Sequence, residues 1–424
     1  MVTTKRKNNL FKKDFLWGAS TASHQVEGRT VNQWSVWELE NAKRLAGEKH
    51  TKLKNLTNWD EIKSKVEDPS NYVSGEGVDH YNRYREDFDI IKTLNLNSFR
   101  FGIEWSRIEP EQGKWDQAEI DHYHEYIDEL LKRGIKPILN VWHWTMPIWF
   151  TDLGAFEKNK NLIHFDNFVS KLAEEYGSKL EYVITMNEPN VYSSYSYLLG
   201  EWPPQEKNII KFLKVMNNLS KAHKRAYKIL KKTNSNLMIG VANQVANIQA
   251  KRPHNVLDEV ATKIMRYAWN WWYFRKIRKY QDFLGMNFYF TDYYQGVQKS
   301  NPELPLNDLG WYMEPEGLFP IILRAWTRFK KPIIITENGL ADSNDEYRQW
   351  WIEETIIAME KALSEGVDVR GYMHWSLLDN FEWAYGWWPE FGLVKVDRKN
   401  NMKRTIRPSA YWYSERIRNL DKIV

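Results

Sequence analysis

Short apolar runs alternate along this chain with longer stretches in which apolar residues recur every three or four positions. The short runs lie at 15–19, 98–105, 137–144, 182–188, 238–243, 283–289, 333–337 and 371–376, and their length and composition predict strands. Within them, Ile333-Ile334-Ile335 shows no polar alternation, which predicts a strand buried on both faces, as in a parallel sheet. Between the runs, residues 79–96, 118–133, 209–232 and 346–365 carry helical spacing. No Pro/Gly/Ser-rich linker or low-complexity tract interrupts the alternation, so residues 1–424 are expected to form a single domain. Eight strand-plus-helix units of irregular length predict an α/β fold, a single (β/α)8 TIM barrel. The rival, a doubly wound sheet, needs a glycine-rich phosphate turn after its first strand. Gly18-Ala19-Ser20-Thr21-Ala22-Ser23 does not fit that fingerprint.

In such a barrel, catalytic groups gather at the C-terminal ends of the strands. Two runs deliver a glutamate there: Thr185-Met186-Asn187-Glu188-Pro189, where proline stops the ladder, and Ile335-Thr336-Glu337-Asn338-Gly339. Polar and aromatic groups recur at the other strand ends. Gln25 and Glu27 follow the first run, Arg100 lies in the second with Glu104 and Trp105 at its tip, and Trp142-His143-Trp144 ends the third. The sixth ends in Asn287 and Tyr289, and the eighth in Trp375, followed by Asp379-Asn380-Phe381-Glu382-Trp383. Two carboxylates on one rim are what a two-carboxylate hydrolase needs.

Composition narrows the partners. A formal net charge of +5 is modest, and the basic clusters (Lys5-Arg6-Lys7, 275–279, 328–331) are short and interrupted, so no nucleic acid is expected. The absence of cysteine excludes disulfides, thiolate metal sites and Cys nucleophiles. The basic N-terminus lacks an apolar h-region and no run approaches a membrane span, so a cytoplasmic protein with no membrane partner is expected. The 22 Trp, 23 Tyr and 18 Phe supply flat rings that bury area and can also stack on sugars. His143 sits between two tryptophans with no second His or carboxylate at ligand spacing, so no metal site is expected.

The opening Phe15-Leu16-Trp17-Gly18-Ala19-Ser20-Thr21-Ala22-Ser23-His24-Gln25-Val26-Glu27-Gly28 resembles the N-terminal signature of glycoside hydrolase family 1, the β-glucosidase/β-galactosidase group. The segments carrying Glu188 and Glu337, and then Asn380-Phe381-Glu382-Trp383, match further motifs of that family in order, so the resemblance runs from about residue 15 to 418. It implies double displacement with retention through a covalent glycosyl-enzyme. Glu337 would be the nucleophile and Glu188 the general acid, then base, with their carboxyl groups roughly 5–5.5 Å apart. Arg100, Tyr289 and Asn287 would support the nucleophile. Gln25, His143, Asn187 and Glu382 match the residues that bind sugar hydroxyls, Trp375 the platform and Trp383 a further contact. Trp144 and Phe391 would complete the pocket, with Trp311 as aglycone platform.

The implied substrates are small β-linked glycosides, β-glucosides first, with β-galactosides and β-fucosides as extras. No cofactor is required, and the motifs set no oligomeric state. Two alternatives stand beside this: a 6-phospho-β-glycosidase, which the Glu382 carboxylate disfavours, and a catalytically inactive sugar- or partner-binding barrel, which typically loses one of the two glutamates. Several loops depart from the family. Gly200-Glu201-Trp202-Pro203-Pro204 replaces the usual Gly-x-His-x-Pro-Gly, and Glu390 precedes Phe391 where many members carry arginine. The short connection after the fifth strand holds Tyr267-Ala268-Trp269-Asn270-Trp271-Trp272-Tyr273-Phe274. That segment is most simply a buried helix flanking the barrel. The sharper alternative is a pocket for a flat apolar ligand, such as haem ligated by a tyrosine.

Overall fold

A computed structural model describes residues 10–421; the basic run Lys5-Arg6-Lys7 lies outside them. The eight apolar runs form eight strands: β1 (Leu16–Ser20), β2 (Ser98–Gly102), β3 (Lys136–Asn140), β4 (Tyr182–Asn187), β5 (Met238–Ala250), β6 (Leu284–Gln295), β7 (Ile333–Asn338) and β8 (Val369–Trp375). Each pairs in parallel with its neighbour in sequence, and β1 pairs with β8, so the circuit returns to its start. One cluster drawn from six strands, including Leu16, Ile138, Ile184, Ile334 and Met373, occupies the space the strands enclose. Burying each such side chain stabilises the fold by about 1.5–3 kcal/mol. The interior is tight at Gly18, where an added Cβ would lie 2.5 Å from both Met373 Sδ and the Ser98 carbonyl.

Long helices follow the strands. α1 (Gln33–Leu53) and α2 (His80–Thr93) come after β1, α3 (Gln117–Lys132) after β2, α4 (Leu162–Tyr176) after β3 and α5 (Ile209–Thr233) after β4. The second half continues with α6 (Val256–Arg266), α7 (Leu318–Phe329), α8 (Arg348–Ser364) and α9 (Pro408–Asp421). Starts are set by caps. Asn32 accepts from the backbone of Trp34 and Ser35 at α1, and Asn208 does the same for Ile210 and Lys211 at α5. A second, larger apolar cluster fills the layer between strands and helices. No helix among the described residues is long and apolar enough to cross a membrane.

The predicted helices fall within a few residues of those observed, whereas four strands differ. β2 stops at Gly102 because Glu104 opens a short helix, Trp105–Ile108. β3 stops at Asn140, since Trp142-His143-Trp144 curl onto the rim, Trp144 with φ 75°. β5 and β6 run on instead, paired from Ala242↔Gly285 to Ala250↔Tyr294. This two-stranded extension mixes polar and apolar residues, so hydrophobic runs alone did not reveal it.

Candidate active site

Glu337, on the last turn of β7, is buried, and both its carboxylate oxygens have partners. Arg100 Nη1, from β2, is ion-paired with Oε1, and the Tyr289 hydroxyl donates to Oε2 at 2.7 Å. Arg100 is itself fully buried and also donates to Asn187 Oδ1 at 2.7 Å. A buried guanidinium must be paired, and here the pairing aims Glu337 into the cavity. The position is also fixed from behind. An added Cβ at Gly339 would lie 1.7 Å from the Trp375 carbonyl, so only glycine lets the end of β7 lie against the end of β8.

Glu188 begins where β4 ends, with Pro189 opening the next short helix. Its backbone is left-handed at φ 43°, a conformation costing on the order of 1–3 kcal/mol that turns the carboxyl toward the cavity. Asn287 connects the two glutamates. Its Nδ2 donates to Glu188 Oε1 at 2.8 Å and to Asn187 Oδ1 at 3.0 Å, while its Oδ1 accepts from Thr336, next to Glu337, at 2.7 Å. Burial, and then the charge of Glu337, push the Glu188 carboxyl well above the usual range, while the Asn287 donation opposes them. One carboxyl is thus pushed toward its neutral form beside another that is ion-paired. That is the asymmetry an acid and a nucleophile need.

Around the pair, a cavity of about 230 Å³ is lined by His143, Trp144, Trp375, Glu382, Trp383 and Phe391 on the inner side. It lies below the usual span for drug-sized ligands, roughly 300–1,000 Å³, and suits a single small ring. His143 is flanked by the amides of Asn140 and Asn187, each at 2.9 Å, and burial, then Arg100, push it well below its ordinary range. It stays neutral. Gln25 donates to the Phe381 carbonyl at 2.6 Å, leaving its buried Oε1 without a partner. A bound hydroxyl could satisfy that acceptor. Gln25, Asn187, Asn287 and Arg100 stand behind the wall rather than on it: each is fully buried.

Burial raises Glu382 to about 8, partly opposed by donation from Asn380. Burial thus favours the protonated form of Glu382, so its charge alone does not carry the argument against a sugar phosphate. The cavity lining also holds a cation, Lys299, ion-paired with Asp292 at 2.6 Å, while Arg100 is engaged by Glu337. The other rim carboxylates are structural. Glu27 pairs with Arg107 at 3.0 Å and accepts from Tyr123, and Glu104 accepts from Ser23, Ser106 and Thr145.

The altered loops reach the outer cavity. Trp202 stacks on Tyr195 at 4.7 Å and tilts against Trp144 at 4.7 Å, so it takes up a place on the wall. Glu390 donates nothing to the pocket; it accepts from Arg407 at 2.6 Å, and Arg407 also holds Asp379, fixing the turn that carries Phe391. Trp311 lines the cavity beside Phe391, with ring centroids 6.3 Å apart.

The Trp-rich segment is only partly a buried flank. Trp271, Tyr273 and Phe274 are buried, Trp271 and Phe274 against Phe329, but Trp269 lines the cavity mouth with Gln244. These residues do not fit a haem: the buried rings are packed on protein, and the Tyr267 hydroxyl accepts from Arg275 at 2.9 Å. The family motifs passed over Val191, Tyr195, Trp202, Gln244, Trp269, Phe290, Lys299 and Tyr385, which also line the cavity. The signal for two of them was the departure of their loops from the family pattern. Among the described residues, no group of three or more His, Asp and Glu is placed to hold a metal.

The model of the family described as Glycosyl hydrolase family 1 matches residues 7–278 and 272–422. The chain is 30% identical to Beta-glucosidase A of Thermotoga maritima, over 96% of this chain and 98% of the relative. It is 28% identical to a beta-galactosidase of Saccharolobus solfataricus, over 82% and 88%. Among solved structures, a beta-glycosidase from Pyrococcus horikoshii superposes with a TM-score of 0.84 at 32% identity, covering 98% of this chain and 96% of that one. The Thermotoga maritima beta-glucosidase in complex with glucoimidazole gives 0.83 at 29% identity, covering 97% and 99%.

Proposed function

The chain belongs to glycosyl hydrolase family 1, and from that premise we propose that it is a retaining exo-β-glycosidase hydrolysing small β-glucosides, with β-galactosides and β-fucosides as further substrates. The observation that carries the reading is the asymmetric carboxyl pair: Glu337 ion-paired to Arg100, Glu188 pushed toward its protonated form. The Glu337 carboxylate attacks the anomeric carbon while Glu188 gives its proton to the departing glycosidic oxygen, leaving a glycosyl ester on Glu337. Glu188, now a carboxylate, takes a proton from water, which attacks the same carbon and releases Glu337. Both steps use side-chain carboxyls alone, so the reaction needs no metal or cofactor. We read the circuit of strands as a closed (β/α)8 barrel and the chain as one domain, with the return pairing of β8 to β1 as support. The relatives named above as beta-glucosidase and beta-galactosidase, and the one bound to glucoimidazole, favour neutral sugars over sugar phosphates.

The test is a panel of p-nitrophenyl β-glucoside, β-galactoside, β-fucoside and β-glucoside 6-phosphate, with the anomer first released followed by proton NMR. Release from the neutral β-glucoside with the β-anomer appearing first is expected. Release of the α-anomer first, or preference for the phosphorylated sugar, would overturn the assignment.

A further inference from the structure

α6, the helix after β5, is amphipathic the wrong way round for a solvated helix. It buries its polar residues Asp258 and Thr262, whereas Val256, Leu257, Val260 and Ile264 are 74%, 75%, 51% and 63% exposed. Asp258 is the anchor: it pairs with Arg252 at 2.9 Å and accepts from the Gly296 backbone at 2.7 Å. That second bond brings the β6 hairpin alongside, and its tip residue Val297 is 81% exposed. Five aliphatic side chains on two elements therefore stand in water. Single exposed apolar residues need no explanation, but a patterned face does.

The charge around this face is mostly positive. Residues 251–279 contain eight lysines and arginines against two acids, and one of those acids, Asp258, is buried and paired. Beside α6, on α7, lie Arg324 and Arg328. Arg266 and Arg324 are both held below the ordinary arginine range, first by partial burial; at Arg266 the charge of Glu259 opposes this, and at both Arg328 adds to it. Arg324 reaches only an amide oxygen, Asn247 Oδ1 at 3.5 Å, and Arg328 lies over the Trp271 ring. Three guanidiniums gathered beside Glu259 leave an excess of positive charge that invites an anion.

We propose that the α6 face, with Val297 and the arginines Arg266, Arg324 and Arg328, docks on an anionic phospholipid surface. The aliphatic side chains enter the headgroup–acyl boundary and the guanidiniums pair with lipid phosphates. A second copy of this chain fits the face less well, because a two-fold contact sets each patch against itself and opposes like charges. The site adjoins the cavity mouth: Trp269, three residues beyond α6, lines it. Docking would place that mouth beside the lipid. The expectation of no membrane partner rested on the absence of a spanning run, which says nothing about a helix lying in the interface.

The test is flotation of the full chain with vesicles of phosphatidylglycerol and phosphatidylcholine, against vesicles of phosphatidylcholine alone, at low and high salt. Wild type is expected to float with the anionic vesicles only, and less so at high salt. Leu257→Asp/Ile264→Asp should reduce partitioning roughly tenfold or more. Arg266→Glu/Arg328→Glu should reduce it by at least roughly fivefold per arginine. Both variants should hydrolyse soluble p-nitrophenyl β-glucoside as wild type does, showing that they fold. Failure of wild type to float with anionic vesicles, or equal flotation of the Asp variant, overturns the proposal. So does a sedimenting dimer that Leu257→Asp/Ile264→Asp converts to monomer, which assigns the face to a second copy.

Discussion

Asn287→Ala isolates the group that connects the two carboxyls proposed to be catalytic. The substitution removes the Nδ2 donor lying 2.8 Å from Glu188 Oε1 and the Oδ1 acceptor of Thr336. A hydrogen bond to a charged group contributes about 1.5–3 kcal/mol. Because Nδ2 also serves Asn187 at 3.0 Å, the lower end applies, and about 1.4 kcal/mol corresponds to one pH unit. The donation favours the ionised Glu188, so removing it raises further a carboxyl already raised by burial and by Glu337. In the proposed mechanism the active form carries the proton on Glu188. The alkaline limb of kcat/KM should therefore move up by about one pH unit, as an apparent value of the carboxyl pair. The assay is a pH profile on a substrate with a poor leaving group, such as cellobiose, where acid assistance matters most. Thermal unfolding should show a loss of about 1–3 kcal/mol from the orphaned Thr336 hydroxyl. An alkaline limb that stays put or moves down, in a folded variant, would refute the role given to Asn287.

Glu337→Gly should abolish turnover of aryl β-glucosides, with activity returning on adding azide or formate; Glu188→Ala should spare the first step for good leaving groups, which a burst of p-nitrophenol would register. Glu382 binds its proton more tightly folded than unfolded, so wild-type stability is intact below the ordinary carboxyl value of 4.5 and declines as pH rises through about 8. Glu382→Gln should therefore gain stability relative to wild type, on the order of 3–5 kcal/mol, between about pH 5 and about pH 9, read as a widening Tm gap. Gly339→Ala should cost at least tenfold in kcat on the β-glucoside, because the Trp375 carbonyl at 1.7 Å from the new Cβ forces β7 and β8 apart.

The chain itself determined the alternation of strands and helices and the two glutamates at strand ends. Period and strand-end chemistry are local, and Ile333-Ile334-Ile335 or Pro189 declare themselves without any partner. The family motifs added the pocket residues, and each of them lies at or just behind one cavity. Local pattern could not show what needs distant neighbours. Glu27, Glu104 and Glu382 are all glutamates near the rim, yet Arg107 claims the first and three hydroxyls the second. Of the three only Glu382 faces the cavity, and burial first, then the charge of Glu337, raise it to about 8. Likewise, the extension of β5 and β6 and the outward apolar face of α6 depend on which side of each element the tertiary structure covers. Charge state and exposure are properties of surroundings, and in this fold those surroundings are assembled from strands far apart in the chain.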